Sequence, residues 1–207
     1  PRQMLLILDN FEHLLEAGPQ LTGLLRAADG LKVLVTSREA LNLQEEWLYP
    51  VDGLPYPAAD GPEALESFGA VQLFVQQARR VRPGFSLDAE QANVAQICRL
   101  VEGLPLAIEL AAAWTRSLPC AEIVSEVKRN IDFLTTTLHN VPDRQQSVRA
   151  VFDYSWNLLS SEGQRVFRRL AVFRGGFLRE AAREVTGATL ADLTLFVDKS
   201  LLQLDDR

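Results

Sequence analysis

The amino-acid sequence predicts an α/β plus all-α fold, in which a partial parallel βαβ core is followed by two smaller and mainly helical domains. Two observations predict this class. Strand-like apolar runs alternate with helical periodicity in the first third of the chain, whereas helical periodicity fills most of the remainder. A stretch rich in proline and glycine separates the two regions. We therefore predict domains at residues 1–58, 59–144 and 145–207.

The βαβ core is predicted from three consecutive segments. Met4 to Leu8 is a fully apolar run, Phe11 to Ala28 has helical periodicity, and Leu31 to Val35 is apolar again. Strand, helix and strand within about 30 residues are typical of a parallel sheet with a crossover helix. Glu46 to Val51 is a candidate third strand, and the linker follows at Gly53 to Pro62.

The second predicted domain is a small all-α unit. Three sets of residues, apolar except for Gln72, recur at the spacing of one helical face. The three sets are Leu65, Phe68, Gln72 and Val75, then Val94, Ile97, Cys98 and Val101, and then Ala107, Leu110, Ala111 and Trp114.

The third predicted domain consists of four helices and a terminal strand. The helices are expected near Val148–Phe152, Val166–Leu170, Leu178–Val185 and Leu190–Val197, and the strand at Ser200–Leu204. Ser161, followed three residues later by Gln164, is a capping-box start for the second of these helices.

Composition excludes several classes of protein. Charged residues interrupt every apolar run, so none reaches the roughly 18 residues of a membrane span. The N-terminal residues lack the regions of a secretion signal, and two cysteines are too few for a disulfide framework, so we expect a cytoplasmic protein. The net charge of −6, from 21 basic and 27 acidic residues, argues against a surface dominated by nucleic-acid contacts. Because residue 1 is proline and an apolar strand begins at once, we expect a fragment.

The histidines, cysteines and tryptophans give little sign of chemistry. His13 and His139 lie 126 residues apart without metal-ligand spacing, so both are predicted to be ordinary polar residues. Cys98 falls on an apolar helix face and is predicted to be a core residue. We interpret the three tryptophans as packing residues; they are Trp47, Trp114 and Trp156.

An acidic residue follows the first predicted strand. Asp9 ends the run LLILDN, at the sheet edge where ligands of parallel sheets bind, and its carboxylate could hold Mg²⁺ through water beside a phosphate chain. The alternative is that Asp9 and Asn10 cap the helix beginning at Phe11. Asn10 and Glu12 could contact a nucleophilic water, although Glu12 could equally be a solvated acid in the first helical turn.

The second strand also ends in polar residues. Thr36, Ser37 and Arg38 follow it at the same sheet edge, where two hydroxyls and a guanidinium suit recognition of phosphate. The alternative is a surface arginine in a turn. A third motif, Gly103-Leu104-Pro105, opens a helix rich in small residues, and Pro105 also suits a first helical position on backbone grounds.

These blocks, in this order, resemble the STAND class of P-loop NTPases, which have an NB-ARC-type module, and especially those of bacterial LuxR- or SARP-like transcriptional regulators. LLILDNFEHLL is similar to their Walker B segment, VLVTSREAL to their sensor 1 strand and GLPLAIELAAA to their GLPLA motif. Residues 155–177 and 196–202 resemble the start and end of their winged-helix domain. The resemblance covers essentially the whole chain.

The resemblance implies a nucleotide-binding core at 1–58, a helical subdomain at 59–144 and a truncated winged helix at 145–207. It assigns Asp9 to Mg²⁺, Arg38 to the terminal phosphate and Pro105 to a position near adenine and ribose. The sequence has no G-x-x-x-x-G-K-[ST] loop, and Asn10 stands where fast hydrolysing relatives have a second acid. We therefore expect poor nucleotide binding and no ATP hydrolysis by these residues alone.

The predicted function is part of an ADP- or ATP-dependent signal-transduction switch in a bacterial transcriptional regulator, with Mg²⁺ and nucleotide bound in the intact protein. The expected partners are nucleotide, other domains of the same chain and further copies on activation, with no membrane. The alternative is a protein-interaction or DNA-binding winged helix with a vestigial nucleotide site. Against DNA contact, the stretch from Thr189 to Ser200 carries Asp192, Asp198 and a single cation, Lys199.

Overall fold

The computed structural model describes residues 3–58, 64–136, 146–157, 159–174, 176–199, 201–202 and 204. Within these residues the protein is mostly helical, with nine α-helices and a two-stranded parallel sheet near the N-terminus. The strands are β1 (Met4–Leu8) and β2 (Leu31–Val35). The helices are α1 (Gly18–Ala27), α2 (Gly69–Val81), α3 (Gln91–Leu100), α4 (Pro105–Ala113), α5 (Cys120–Arg129), α6 (Val148–Asn157), α7 (Ser161–Leu170), α8 (Arg179–Thr186) and α9 (Leu190–Asp198).

Backbone contacts divide the chain into two compact units. One contains Pro1–Pro50 together with Ser155–Arg207, and the other contains Val51–Tyr154. None of the described helices is both long and apolar enough to cross a bilayer.

The predicted βαβ segment is confirmed, although its helix is shorter than expected. β1 and β2 pair in parallel, with Met4 opposite Leu31 and Leu8 opposite Val35. The helix predicted from Phe11 instead begins at Gly18, after two 3₁₀ turns at Phe11–His13 and Leu15–Ala17. Proline is favoured in the first turn of a helix, and Pro19 occupies that turn of α1.

The predicted third strand, Glu46 to Val51, is wrong. These residues form irregular backbone, and Trp47 is 95% exposed. Pro50 has no N–H to donate to a ladder, and no strand pairs with this segment within the described residues. The interpretation of Trp47 as a packing residue is therefore wrong as well.

The helices of the Val51–Tyr154 unit surround one apolar core. α2 packs against α4, and α3 against α5. The faces predicted for α3 and α4 meet in this core, with Val94, Ile97 and Cys98 fully buried. The face predicted from Leu65 to Val75 is wrong, because Gln72 is exposed and α2 buries Val71, Phe74 and Ala78 instead. Trp114 packs against it and stacks on Phe133 with ring centroids 4.6 Å apart, as its interpretation as a packing residue predicts.

The helices after residue 155 form a second core around Phe196, which includes Val166, Leu170 and Ala182, with Trp156 packed against it as predicted. The helix cap predicted at Ser161 lies one residue earlier. Ser160 is in extended backbone, and its hydroxyl accepts a 3.1 Å hydrogen bond from the N–H of Gly163.

The start of α9 and the predicted final strand also differ from expectation. α9 begins with a reciprocal capping box between Thr189 and Asp192 that the sequence analysis missed. In the predicted strand Ser200–Leu204, the described residues Leu201, Leu202 and Leu204 are not in a strand. Ser200 and Gln203 lie outside the described residues, as does His139.

Both cysteine thiols are buried, and we predict from this burial how they react with a thiol reagent. Desolvation raises the pKa of Cys98 and of Cys120 to about 12 in each case. The native protein should therefore leave both thiols unmodified by a thiol-specific reagent at pH 8, and denaturant should expose both. Because the folded state holds these protons more tightly, the thiols' contribution to stability should fall as pH rises above about 9. Fast labelling of the native protein would contradict the prediction.

Candidate functional site

The C-terminal ends of β1 and β2 lie side by side and bring the predicted polar residues together. Two backbone hydrogen bonds extend the pairing beyond the strands: the N–H of Thr36 donates to the carbonyl of Leu8 at 2.9 Å, and that of Phe11 donates to the carbonyl of Thr36 at 3.0 Å. Because the strands are parallel, these ends form one edge of the sheet. We call Asp9, Glu12, Thr36 and Arg38 the strand-end cluster.

The Thr36 side chain holds Asp9 in place. Its hydroxyl donates to Oδ1 of Asp9 at 2.5 Å and accepts a 2.9 Å hydrogen bond from the backbone N–H of Asn10. Asn10 adopts the left-handed conformation, with φ of 64°, which asparagine tolerates better than most residues. It precedes a 3₁₀ turn without a side-chain capping bond, so the structure does not support the simple helix-cap interpretation.

Arg38 and Glu12 form a largely buried ion pair. The Glu12 side chain is 1% exposed, and its Oε1 lies 3.8 Å from Nε of Arg38, whose side chain is 25% exposed. Neither carboxylate oxygen of Glu12 has a hydrogen-bond partner within the described residues. Glu12 is therefore not a solvated first-turn acid, and Arg38 is not a surface arginine.

The turn after β2 fixes the direction of Arg38. The Ser37 hydroxyl accepts a 3.2 Å hydrogen bond from the N–H of Glu39, which is a local turn contact. Nη1 of Arg38 donates to the hydroxyl of Ser155 on α6 at 3.4 Å. Of the three residues predicted to bind phosphate, Ser37 therefore makes a turn contact, Thr36 orients Asp9, and Arg38 carries a positive charge paired with Glu12.

The Gly103-Leu104-Pro105 motif lies in the Val51–Tyr154 unit. Gly103 has φ of 69°, and its N–H donates to the carbonyl of Cys98 at 3.1 Å, so it ends the turn after α3. Its carbonyl accepts a 2.9 Å hydrogen bond from Leu54, and Pro105 begins α4 as predicted. The motif therefore also has a structural role, in joining the 53–55 segment to the start of α4.

Two contacts of the turn after β2 could not be found from sequence patterns. Ser155 lies 117 residues from Arg38, and Lys199 lies 160 residues from Glu39, to which it donates hydrogen bonds of 2.9 and 3.0 Å. Neither residue belongs to a short motif whose spacing would link it to the site. These contacts become visible only in the folded chain.

The strand-end cluster suits a phosphate-bound Mg²⁺ better than a metal held by protein ligands alone. The described part of the chain contains no group of three or more His, Cys, Asp or Glu residues placed to hold a metal. Asp9 instead offers one exposed, oriented carboxylate, with a guanidinium on the same turn as its threonine partner. Mg²⁺ typically keeps several waters and binds through one or two carboxylates plus phosphate.

Comparison with known proteins shows that this chain has relatives among transcriptional regulators. The chain is 40% identical over 214 aligned residues to a protein of Mycobacterium tuberculosis and one of Mycobacterium bovis, both provisionally named HTH-type transcriptional regulators. The alignment covers 99% of this chain but 23% of each regulator. The chain is therefore homologous to a segment of these regulators.

A second relative has a similar relationship over more of its length. An uncharacterised protein of Mycobacterium tuberculosis is 35% identical over 99% of this chain, which spans 52% of that protein. No protein-family model matches the chain. No solved structure matches it either.

Proposed function

We propose that this chain is part of a nucleotide-dependent signalling switch of the STAND class of P-loop NTPases, within a bacterial transcriptional regulator. The observation that carries the proposal is the strand-end cluster, in which an oriented carboxylate and a cationic guanidinium share one edge of a parallel sheet. Homology to a segment of HTH-type transcriptional regulators supports the regulatory setting. The motif order gives independent support, because it resembles that of STAND proteins.

The proposed nucleotide is ADP or ATP with Mg²⁺, and its phosphates lie at the strand-end cluster. Bound Mg²⁺ would neutralise phosphate charge. Asp9 would hold that ion through water and Arg38 would bind the terminal phosphate. Thr36 keeps the Asp9 carboxylate oriented. The resemblance assigns Pro105 to a position near adenine and ribose, and we include Gly103 and Leu104 of the same motif among the nucleotide-binding residues.

The proposed switch hydrolyses ATP slowly. Glu12 is buried against Arg38, so in this conformation its carboxylate pairs with a cation and does not face solvent water. Asn10 carries no charge that could assist proton removal. We therefore propose slow hydrolysis in the intact regulator and none by these residues alone, in a cytoplasmic protein that assembles with further copies. The division at 1–58, 59–144 and 145–207, with a winged helix last, belongs to the same proposal.

Substitutions at the two ends of the proposed nucleotide test the site. In the full-length protein, Asp9→Ala or Pro105→Leu should weaken Mg-nucleotide binding by about tenfold or more, equivalent to roughly 1.4 kcal/mol. Titration calorimetry measures the change. Asp29→Ala is the matched control for Asp9, because Asp29 precedes β2 and so lies at the opposite edge of the sheet. Unchanged nucleotide affinity in both test variants, or an equal loss of affinity in the Asp29→Ala control, would contradict the assignment of Asp9 and Pro105 to the nucleotide site.

The alternative function is a protein-interaction or DNA-binding winged helix with a vestigial nucleotide site, and the names of the homologous regulators favour considering it. The charged residues of α9 and its C-terminal end do not favour DNA binding. Asp192 is an acid that caps α9, and the cation Lys199 pairs with Glu39. A mobility-shift titration with duplex DNA distinguishes the two. Tight, sequence-dependent binding at physiological salt would favour the alternative.

A further inference from the structure

Two consecutive residues after β2 contact the C-terminal helices of the same compact unit. Arg38 donates to the hydroxyl of Ser155 at 3.4 Å, and Lys199, which follows α9, donates to both carboxylate oxygens of Glu39 at 2.9 and 3.0 Å. These contacts join the end of β2 to residues 117 and 160 positions away. The turn carrying the predicted phosphate sensor is therefore also a docking point for these helices.

The Glu39–Lys199 pair is shielded from solvent. The two side chains are 15% and 14% exposed, whereas both partners of a typical surface pair such as Arg149–Asp132 are well exposed. An exposed pair contributes little because water and salt screen it, but removing one partner of a shielded pair leaves an uncompensated charge. Lys199 also stands at the C-terminal end of α9, where a cation is favourable for the helix dipole.

We propose that Glu39 and Lys199 form a latch that holds the C-terminal helices against the turn carrying Arg38. Because Glu39 directly follows Arg38, the closed latch fixes the backbone of the sensor and keeps Ser155 within reach of its guanidinium. Opening the latch releases the contact between Ser155 and Nη1 of Arg38, and this nitrogen can then donate to an anion while Nε stays beside Glu12. The identity of that anion, a nucleotide phosphate, rests on the proposed function.

The latch makes helix docking and phosphate binding interdependent. A ligand shifts an equilibrium between two conformations only by its difference in affinity for them. If phosphate and Ser155 compete for Arg38, phosphate favours the open latch, and by reciprocity an open latch favours phosphate. The coupling needs no contact between nucleotide and Lys199.

Hydrogen exchange of the full-length protein, after removal of any nucleotide that copurifies with it, tests the latch alone. Glu39→Gln and Lys199→Met should each speed amide exchange in α9 by about fivefold or more. The double variant should exchange no faster than either single variant, because both remove the same interaction. Arg149→Met, which breaks an exposed pair, is the control and should leave α9 unchanged. Wild-type exchange in both single variants, or multiplying effects in the double variant, would overturn the latch.

Calorimetric titration of the same proteins with Mg-ATP tests the coupling. Both single variants should bind Mg-ATP about threefold or more tightly than the wild type. Equal affinities, with faster exchange in α9, would overturn the coupling between the latch and Arg38. Absence of Mg-ATP binding to every protein would instead contradict the proposed function, and the exchange result would still decide whether the latch exists.

Discussion

Replacing Gly103 with alanine should destabilise the Val51–Tyr154 unit by about 3 kcal/mol or more. The left-handed backbone at φ of 69° costs an L-residue about 1–2 kcal/mol. A Cβ at this position would also lie 2.0 Å from the carbonyl oxygen of Leu54, which is backbone and cannot turn aside. The 53–55 segment would have to move away and lose the hydrogen bond from Leu54 to the carbonyl of Gly103. Scanning calorimetry should show a midpoint lowered by more than about 10 °C.

Substitutions at two other glycines distinguish backbone strain from the steric clash with Leu54 as causes of this loss of stability. Gly187 has φ of 77° but open space around its Cβ position, so Gly187→Ala should cost about 1–2 kcal/mol from backbone strain alone. Gly84 has neither a positive φ nor a neighbour within 4 Å, so Gly84→Ala should change stability by less than about 1 kcal/mol. If Gly103→Ala costs no more than Gly187→Ala, the close approach of Leu54 is not important.

Removing the Arg38 guanidinium should destabilise the unit that contains the sheet. Arg38→Met leaves the buried Glu12 carboxylate without its cation, at a cost of about 2–3 kcal/mol after allowance for the partial exposure of Arg38. The substitution retains most of the side chain's apolar stem, so the loss reports on charge more than on packing. Urea unfolding followed by circular dichroism measures the change.

A second variant tests whether the buried carboxylate causes this loss. In Glu12→Met/Arg38→Met the uncompensated charge is gone, so the double variant should be more stable than Arg38→Met. Glu12→Met alone should cost less than Arg38→Met, because the remaining guanidinium reaches solvent and Ser155. Additive losses in the double variant would show that the two side chains do not interact.

Local pattern was sufficient to predict much of the fold. The bounds of β1 follow from an uninterrupted apolar run and those of β2 from a run interrupted by Lys32, and the faces of α3 and α4 follow from helical spacing. Pro19 could have indicated the true start of α1, because proline is favoured in the first turn of a helix. The segment at 46–51 shows where pattern fails: apolar and aromatic residues favour a strand, but a strand also needs a neighbour to pair with.

The candidate site was predictable in its residues but not in their contacts. Asp9, Thr36 and Arg38 follow apolar strands, so parallel pairing places them at one edge. Whether Thr36 faces a ligand or Asp9 depends on side-chain geometry that the sequence does not contain. Glu39 and Lys199 meet because distant helices fold onto the turn after β2, which no local spacing encodes.

The most direct test of the nucleotide-switch proposal is to purify the full-length protein without added nucleotide, denature it and identify what it releases by chromatography. The proposal predicts stoichiometric ADP or ATP, and the identity of the nucleotide would define the resting state. A folded protein that releases no nucleotide and gains no thermal stability from added Mg-ATP would contradict the proposal.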